Sequence, residues 1–226
     1  MKLLLFDIDG TLLHANGSGR QAIEQALSDV FDQPISTEGV TFSGRTDPGI
    51  MRDILTQNGV AATTSNIARA IGAYESLVLE TGDPNDVTLI PGVPPLLDRL
   101  SSRSDVMLAL LTGNIRSTAF WKLKAVGLDP HFSFGAFGSD DGERRNLPPV
   151  AVRRAKKHTG HTFVGSDVVI IGDTQHDIQC GRGIGAFSVG VCTGSYSRND
   201  LSSYNPNVLF DTLQDTDAFI DQVLGG

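Results

Sequence analysis

The chain has 226 residues, 40% hydrophobic and 19% charged, which is a globular composition long enough for one core or a core with a small second domain. Eighteen Lys and Arg against 26 Asp and Glu leave a net charge of −8, and no Lys/Arg stripe stands out, so a nucleic-acid partner is not expected. Two cysteines, Cys180 and Cys192, exclude a disulfide scaffold and read as small buried hydrophobes.

In chain order, residues 2–8 (KLLLFDI) form an apolar run broken by Asp7, as a parallel strand buried on both faces would read. Asp7 interrupts the run before a signal-peptide core could form, and no stretch approaches the roughly 18 apolar residues of a membrane span, so a cytoplasmic protein without a membrane partner is expected. Residues 15 to 89 carry helical patterns over about 19–31, 47–58 and 65–81 and no comparable strand. Turn signals, Asn16-Gly17-Ser18-Gly19 and Thr81-Gly82-Asp83-Pro84, mark the edges of this section and are the expected hinges. Beyond it, apolar runs at 106–111, 132–137, 167–171, 187–192 and 207–210 alternate with helical patterns at 93–103, 115–126, 149–158 and 213–224. Strand alternating with helix predicts an α/β fold with a doubly wound, mostly parallel sheet. The expected division is a core of 1–14 and 90–226 with an α-helical insertion at 15–89.

Ligands of open α/β sheets bind beyond the carboxyl ends of the strands. Here those ends read Asp7/Asp9, Thr112/Asn114, Asp140/Asp141 and Asp173/Asp177. Carboxylates gathered at one edge repel each other and call for a cation, and hard oxygen donors facing an anionic substrate point to Mg²⁺. Asp7 and Asp9 stand two residues apart, so both can face one reacting centre, one as nucleophile and one as proton carrier. Gly10 permits a sharp turn after them, and Asp177 falls one helical turn beyond Asp173.

Taken together, DIDGT at 7–11, LLTGN at 110–114, a basic segment at 143–152 and IGDTQHD at 171–177 resemble the motifs of the haloacid dehalogenase superfamily. The insertion after the first strand, with FSGRTDPGI at 42–50, is similar to the helical cap of its phosphoglycolate-phosphatase-like branch. The resemblance implies a Mg²⁺-dependent phosphatase that hydrolyses a small phosphate monoester, 2-phosphoglycolate among the candidates, through an aspartyl-phosphate. A β-phosphoglucomutase-like phosphoryl transferase would share the same motifs. By the same resemblance Asp7 is the nucleophile, and Asp9 protonates the leaving oxygen and then activates water. Thr112, Gly113 and Asn114 hold phosphoryl oxygens, and Asp7, the Asp9 carbonyl, Asp173 and Asp177 serve the metal.

The chain departs from the family at the third motif, where Glu143-Arg144-Arg145-Asn146 carries no Lys. Of the two arginines Arg145 is favoured for the phosphate, because it stands closer to the start of the following helix. Arg45 in the cap segment either binds an anionic part of the substrate or pairs with Asp47 or another acid. The presence of Asp9 disfavours dehalogenase chemistry. A signalling receiver domain is disfavoured by the length and by the insertion, and a catalytically dead scaffold by the intact carboxylates. Oligomeric state is not legible in the chain.

Overall fold

The structure is a computed structural model that describes residues 1–15 and 20–225. Its centre is β1 (Lys2–Phe6), in which Leu3, Leu4, Leu5 and Phe6 are wholly buried. The chain next forms β2 (Leu13–Ala15), α1 (Arg20–Phe31), α2 (Asp47–Gln57), α3 (Thr64–Thr81) and β3 (Val87–Leu89). It continues through α4 (Val93–Ser101), β4 (Val106–Leu111), α5 (Arg116–Ala125), β5 (Gly135–Ala136) and α6 (Leu147–Thr159). It ends with β6 (Val168–Gly172), α7 (Gln175–Cys180), β7 (Phe187–Val191), α8 (Arg198–Ser202), β8 (Val208–Phe210) and α9 (Thr216–Leu224).

Six strands form one sheet in the order β5-β4-β1-β6-β7-β8, and every adjacent pair is parallel. The alternation of side chains along a strand divides the interior in two. Leu4 and Phe6 pack with Leu97 and Leu100 of α4, Leu123 of α5 and Phe219 of α9. Leu3 and Leu5 pack with Ala151 and Ala155 of α6 and with Cys180. Helices therefore cover both faces of the sheet, which is why β1 is apolar at each position from Leu3 to Phe6. At about 25 cal/mol per Å² of apolar surface, each fully buried Leu or Phe contributes roughly 2 kcal/mol.

The helical section has an interior of its own. Ile23 and Leu27 of α1, Ile54 and Leu55 of α2 and Ala70 of α3 form a third cluster. The two chain passages that lead into and out of this section pair with each other: β2 and β3 are antiparallel, with Leu13 opposite Leu89 and Ala15 opposite Val87. These strands are three residues each, too short for a periodic signal, and the sequence reading did not anticipate them. The expected strand at 132–137 reduces to Gly135–Ala136 at the sheet edge. Of the expected hinges, Asn16–Gly19 lie outside the described residues, while Thr81 ends α3 and Pro84–Asp86 form a single 3₁₀ turn.

Candidate active site

Three adjacent strands, β4, β1 and β6, deliver their following residues to one edge of the sheet. The chain leaves β1 with the Asp7 N–H still bonded to the Ile171 carbonyl at 2.9 Å, so Asp7 stands beside the end of β6. Gly10 then takes φ +80°, and a Cβ there would run into the Asp173 carboxylate. Gly194 is under the same constraint from the other side, since a Cβ on it would overlap Asp173. Two glycines thus make room for one buried carboxylate, which otherwise accepts from the Thr11 hydroxyl at 3.3 Å.

Asp177 opens α7 in a capping box. Its Oδ2 accepts from the Thr174 N–H at 3.1 Å and from the Thr174 hydroxyl at 2.7 Å, and the box fixes it one turn from Asp173. The outer oxygen of Asp177 accepts from Arg144, whose same nitrogen lies 3.1 Å from Asp7. Carboxylate oxygens of Asp7, Asp173 and Asp177 lie within 4.8 Å of one another, all buried.

Arg144, and not Arg145, enters the site. Arg144 is buried and Arg145 is exposed. Residues 144–146 form a 3₁₀ turn, in which side chains three apart eclipse. Leu147 is buried in the core, so Arg144 points inward with it and Arg145 turns to solvent. Distance from the helix start was therefore the wrong criterion, and the phase of the turn was the right one.

The Asp9 carboxylate does not join this cluster. It is gripped by Lys122 of α5, whose Nζ donates to both oxygens at 2.8 Å, and by Asn114, whose Nδ2 donates to Oδ2 at 2.7 Å. The same Asn114 amide donates to the Thr112 hydroxyl at 2.8 Å, which links the β4 turn to Asp9. Lys122 was not anticipated. It lies eight residues beyond Asn114 in a helix whose sequence shows only the apolar stripe of Ala119 and Leu123. The one available signal was a neighbouring polar pair, Thr118 and Lys122, spaced four apart.

Two cations thus serve three of the four carboxylates, and the electrostatics follow that division. Burial pushes Asp7 up to about 6, with the charges of Asp177 and Asp9 adding and Arg144 opposing. Burial together with the charges of Asp177 and Asp7 pushes Asp173 up to about 8. For Asp9, burial is outweighed by the charge and hydrogen bonds of Lys122 and by Asn114, which hold it below the usual carboxylate range. Asp173 has no cation among its bonded partners, and the charge of Arg144 offsets only part of the shift. A hard divalent cation would supply the remaining positive charge, and the oxygen-only donor set suits Mg²⁺. Asp7 and Asp173 have oxygens to offer such an ion. Both oxygens of Asp177 are committed to Arg144 and Thr174, so Asp177 fits a supporting position better than a direct ligand.

The helical section reaches into this edge. The Asp47 N–H donates to the Gly113 carbonyl and the Asp47 Oδ2 accepts from the Ile115 N–H, each at 2.8 Å. Thr46 donates its hydroxyl to the Gly142 carbonyl at 2.6 Å. A Cβ on Gly113 would overlap the Arg45 carbonyl, so this glycine is what lets the two backbones meet. Between the helical section and the sheet edge lies a cavity of about 620 Å³, lined among others by Asp7, Asp9, Thr112, Arg45, Tyr74 and Lys122. Arg45 bonds Asp53 at 2.7 Å, not Asp47. His14 and Trp121 also line the cavity.

The family model for haloacid dehalogenase-like hydrolases matches residues 4–191. The chain belongs to that family. It is 26% identical over 214 residues to a phosphoglycolate phosphatase from Pectobacterium atrosepticum, covering 94% of this chain and 89% of that protein. It is 25% identical over 218 residues to the pyrophosphatase PpaX of Oceanobacillus iheyensis, covering 95% and 94%. Its fold matches the crystal structure of a predicted phosphatase from Clostridium acetobutylicum with a TM-score of 0.73 at 18% identity, covering 100% of this chain and 99% of the other. The haloacid dehalogenase-like assignment makes this chain a hydrolase. No described helix is long and apolar enough to cross a membrane.

Proposed function

We infer that this hydrolase is a Mg²⁺-dependent phosphatase of a small phosphate monoester, with residues 15–89 acting as a cap over a core of 1–14 and 90–226. The observation that carries this reading is the division of the site: Asp7 sits with Asp173 and Arg144, while Asp9 is held apart on the cavity side of Lys122. A nucleophile and a proton carrier that share one cation cluster would compete for it, and here they do not.

In this reading Asp7 attacks phosphorus in line. The Asp7–phosphorus bond forms as the ester bond breaks, and Asp9, a carboxylate in the resting site, takes up the proton that the substrate monoanion brings and passes it to the departing oxygen. Asp9, now a carboxylate, takes a proton from the water that hydrolyses the aspartyl-phosphate. Thr112, the backbone around Gly113 and Asn114 hold the phosphoryl oxygens. Arg144 takes the place of the family lysine and neutralises charge between Asp7 and the phosphoryl group by its planar fork. Mg²⁺ would be held by Asp7 and Asp173 with the Asp9 carbonyl, supported by Asp177, and when bound it supplies the charge neutralisation that lets a carboxylate approach a phosphate dianion. Arg45 faces the cavity from the cap and is the candidate for an anionic leaving portion such as the carboxylate of 2-phosphoglycolate. The docked cap segment excludes bulk water from the first step.

The test is inorganic phosphate release across a panel containing 2-phosphoglycolate, sugar phosphates and pyrophosphate, with Mg²⁺ and with EDTA. Release from one or more monoesters that stops with EDTA and returns with Mg²⁺ is the expected result. A folded protein that releases phosphate from no monoester, yet exchanges phosphoryl groups between sugar phosphates, would overturn the phosphatase in favour of a mutase.

A further inference from the structure

We propose that Lys122 is the positioning residue for Asp9: its two-point grip keeps the Asp9 carboxylate on the leaving-group side of the cavity and out of the neighbouring carboxylate cluster. The proposal rests on the reading of Asp9 as proton carrier and extends it to a residue that no motif of the chain marks.

The geometry is specific. Lys122 Nζ reaches both Asp9 oxygens at 2.8 Å and the Asn114 Oδ1 at 2.7 Å, which occupies all three of its donors. Asn114 closes the frame by donating to Asp9 Oδ2. Three donor contacts on one carboxylate fix its two side-chain torsions. The Lys122 side chain is 11% exposed, whereas that of Asp9 is 41% exposed and open to the cavity. The cation is thus the buried partner and the carboxylate the presented one. A buried ammonium is costly to maintain for fold alone, since its desolvation offsets much of the ion pair. Lys122 lines the cavity beside Asp9, where a substrate's leaving portion would lie.

Without Lys122 the Asp9 side chain has two alternatives. It can swing freely in the cavity, or it can turn toward the cluster of Asp7, Asp173 and Asp177, where a bound cation would draw it in. Either removes the proton from the line of the breaking ester bond. In the affected step the Asp7 oxygen bonds phosphorus, the ester bond gives its electron pair to the leaving oxygen, and the proton that Asp9 has taken from the substrate monoanion neutralises that oxygen. Only the last transfer depends on where Asp9 points. A leaving group that departs comfortably as an anion does not need it.

The experiment compares kcat/KM of wild type, Lys122→Met and Lys122→Arg on a series from alkyl phosphates to p-nitrophenyl phosphate. This parameter ends at departure of the leaving group and so is blind to the later hydrolysis. Lys122→Met is expected to lose on the order of 100-fold on alkyl phosphates, the scale of positioned proton transfer, and less than about threefold on p-nitrophenyl phosphate. Lys122→Arg, which can still donate twice to one carboxylate, should return the leaving-group dependence toward wild type. Equal losses across the series, or no loss, in protein with an unchanged melting temperature would overturn the proposal. Equal losses would make Lys122 a substrate-binding or structural residue. Asp7→Asn runs alongside: if it keeps turnover, the parent reading fails, and if it is inactive while Lys122→Met shows a flat series, only the proposal fails.

Discussion

At the level of single residues, the site is an arrangement of charges that cannot all be satisfied by protein. Asp7 and Asp177 converge on one guanidinium, Asp173 stands beside them with no cation bonded to it, and Asp9 takes the only ammonium near it among the described residues. Arg144 is therefore expected to be indispensable where Arg145 is not. Arg144→Ala should lower kcat/KM by about 10²–10³, the usual cost of deleting one preorganised charge donor, and Arg145→Ala should stay within about twofold. Steady-state kinetics on the best monoester checks both, and the reverse ranking would show that the solvent-facing arginine does the work. The sequence could narrow the cation to this pair but not choose within it, because the choice depends on the phase of one 3₁₀ turn relative to Leu147. The four aspartates were legible because each follows a buried strand or opens a helix beside one.

Asp47 carries a second residue-scale prediction. Burial raises it to about 6, with Asp9 adding to the shift and Lys122 and the Ile115 N–H opposing it. The folded chain therefore holds this proton to higher pH than the unfolded chain, where Asp titrates near 4. Between those values the native state binds more protons, so the stability contributed by Asp47 is greatest below about pH 4 and falls as pH rises to about 6. Asp47→Asn keeps an oxygen for the Ile115 N–H but cannot ionise. From pH 4.5 to pH 7 the stability of wild type relative to Asp47→Asn should decline, by up to about 3 kcal/mol over the full window. Urea unfolding at the two pH values measures it, and parallel profiles would contradict it.

At the level of elements, the contact between α2 and the turn after β4 decides how the helical section meets the sheet. Asp47 supplies both its N–H and its carboxylate to residues 113–115, an exchange that resembles one rung of a ladder. Gly113 makes that approach possible. Gly113→Ala, with its Cβ directed at the Arg45 carbonyl, should push the segment 42–47 away from the sheet edge while leaving the central sheet intact. Turnover of a small monoester is expected to fall by at least about tenfold, the scale of consequence that follows from small displacements of a positioned site. Unchanged kcat and KM would mean that the docked arrangement is not the working one. The TGN turn looked like an ordinary phosphate-binding turn in sequence. Its contact with the backbone of the helical section involves residues some 65 positions away and leaves no local trace. The hairpin of β2 and β3 escaped for the opposite reason: its strands are local but too short to show alternation.

At the level of the whole molecule, apolar strand runs stop at residue 8 and resume only near residue 106, and the helices α1, α2 and α3 fall between them. Each side then has its own apolar interior, and the two chain passages between them pair side by side. That layout suits a cap that admits substrate and closes over the carboxyl edge of the sheet. The cavity between them was not legible, since its walls come from the turn after β1, the turn after β4, α1, α2, α3 and α5 together.

The central claim is that phosphorus is transferred to Asp7. The most direct measurement is acid quenching within the first turnover on the best monoester, followed by mass spectrometry of the peptide that contains Asp7. The account predicts one phosphoryl group on that peptide, lost on treatment with hydroxylamine, and none in Asp7→Asn, which should also release no phosphate. Phosphate release with no label on Asp7 at any quench time, or undiminished release by Asp7→Asn, would contradict it.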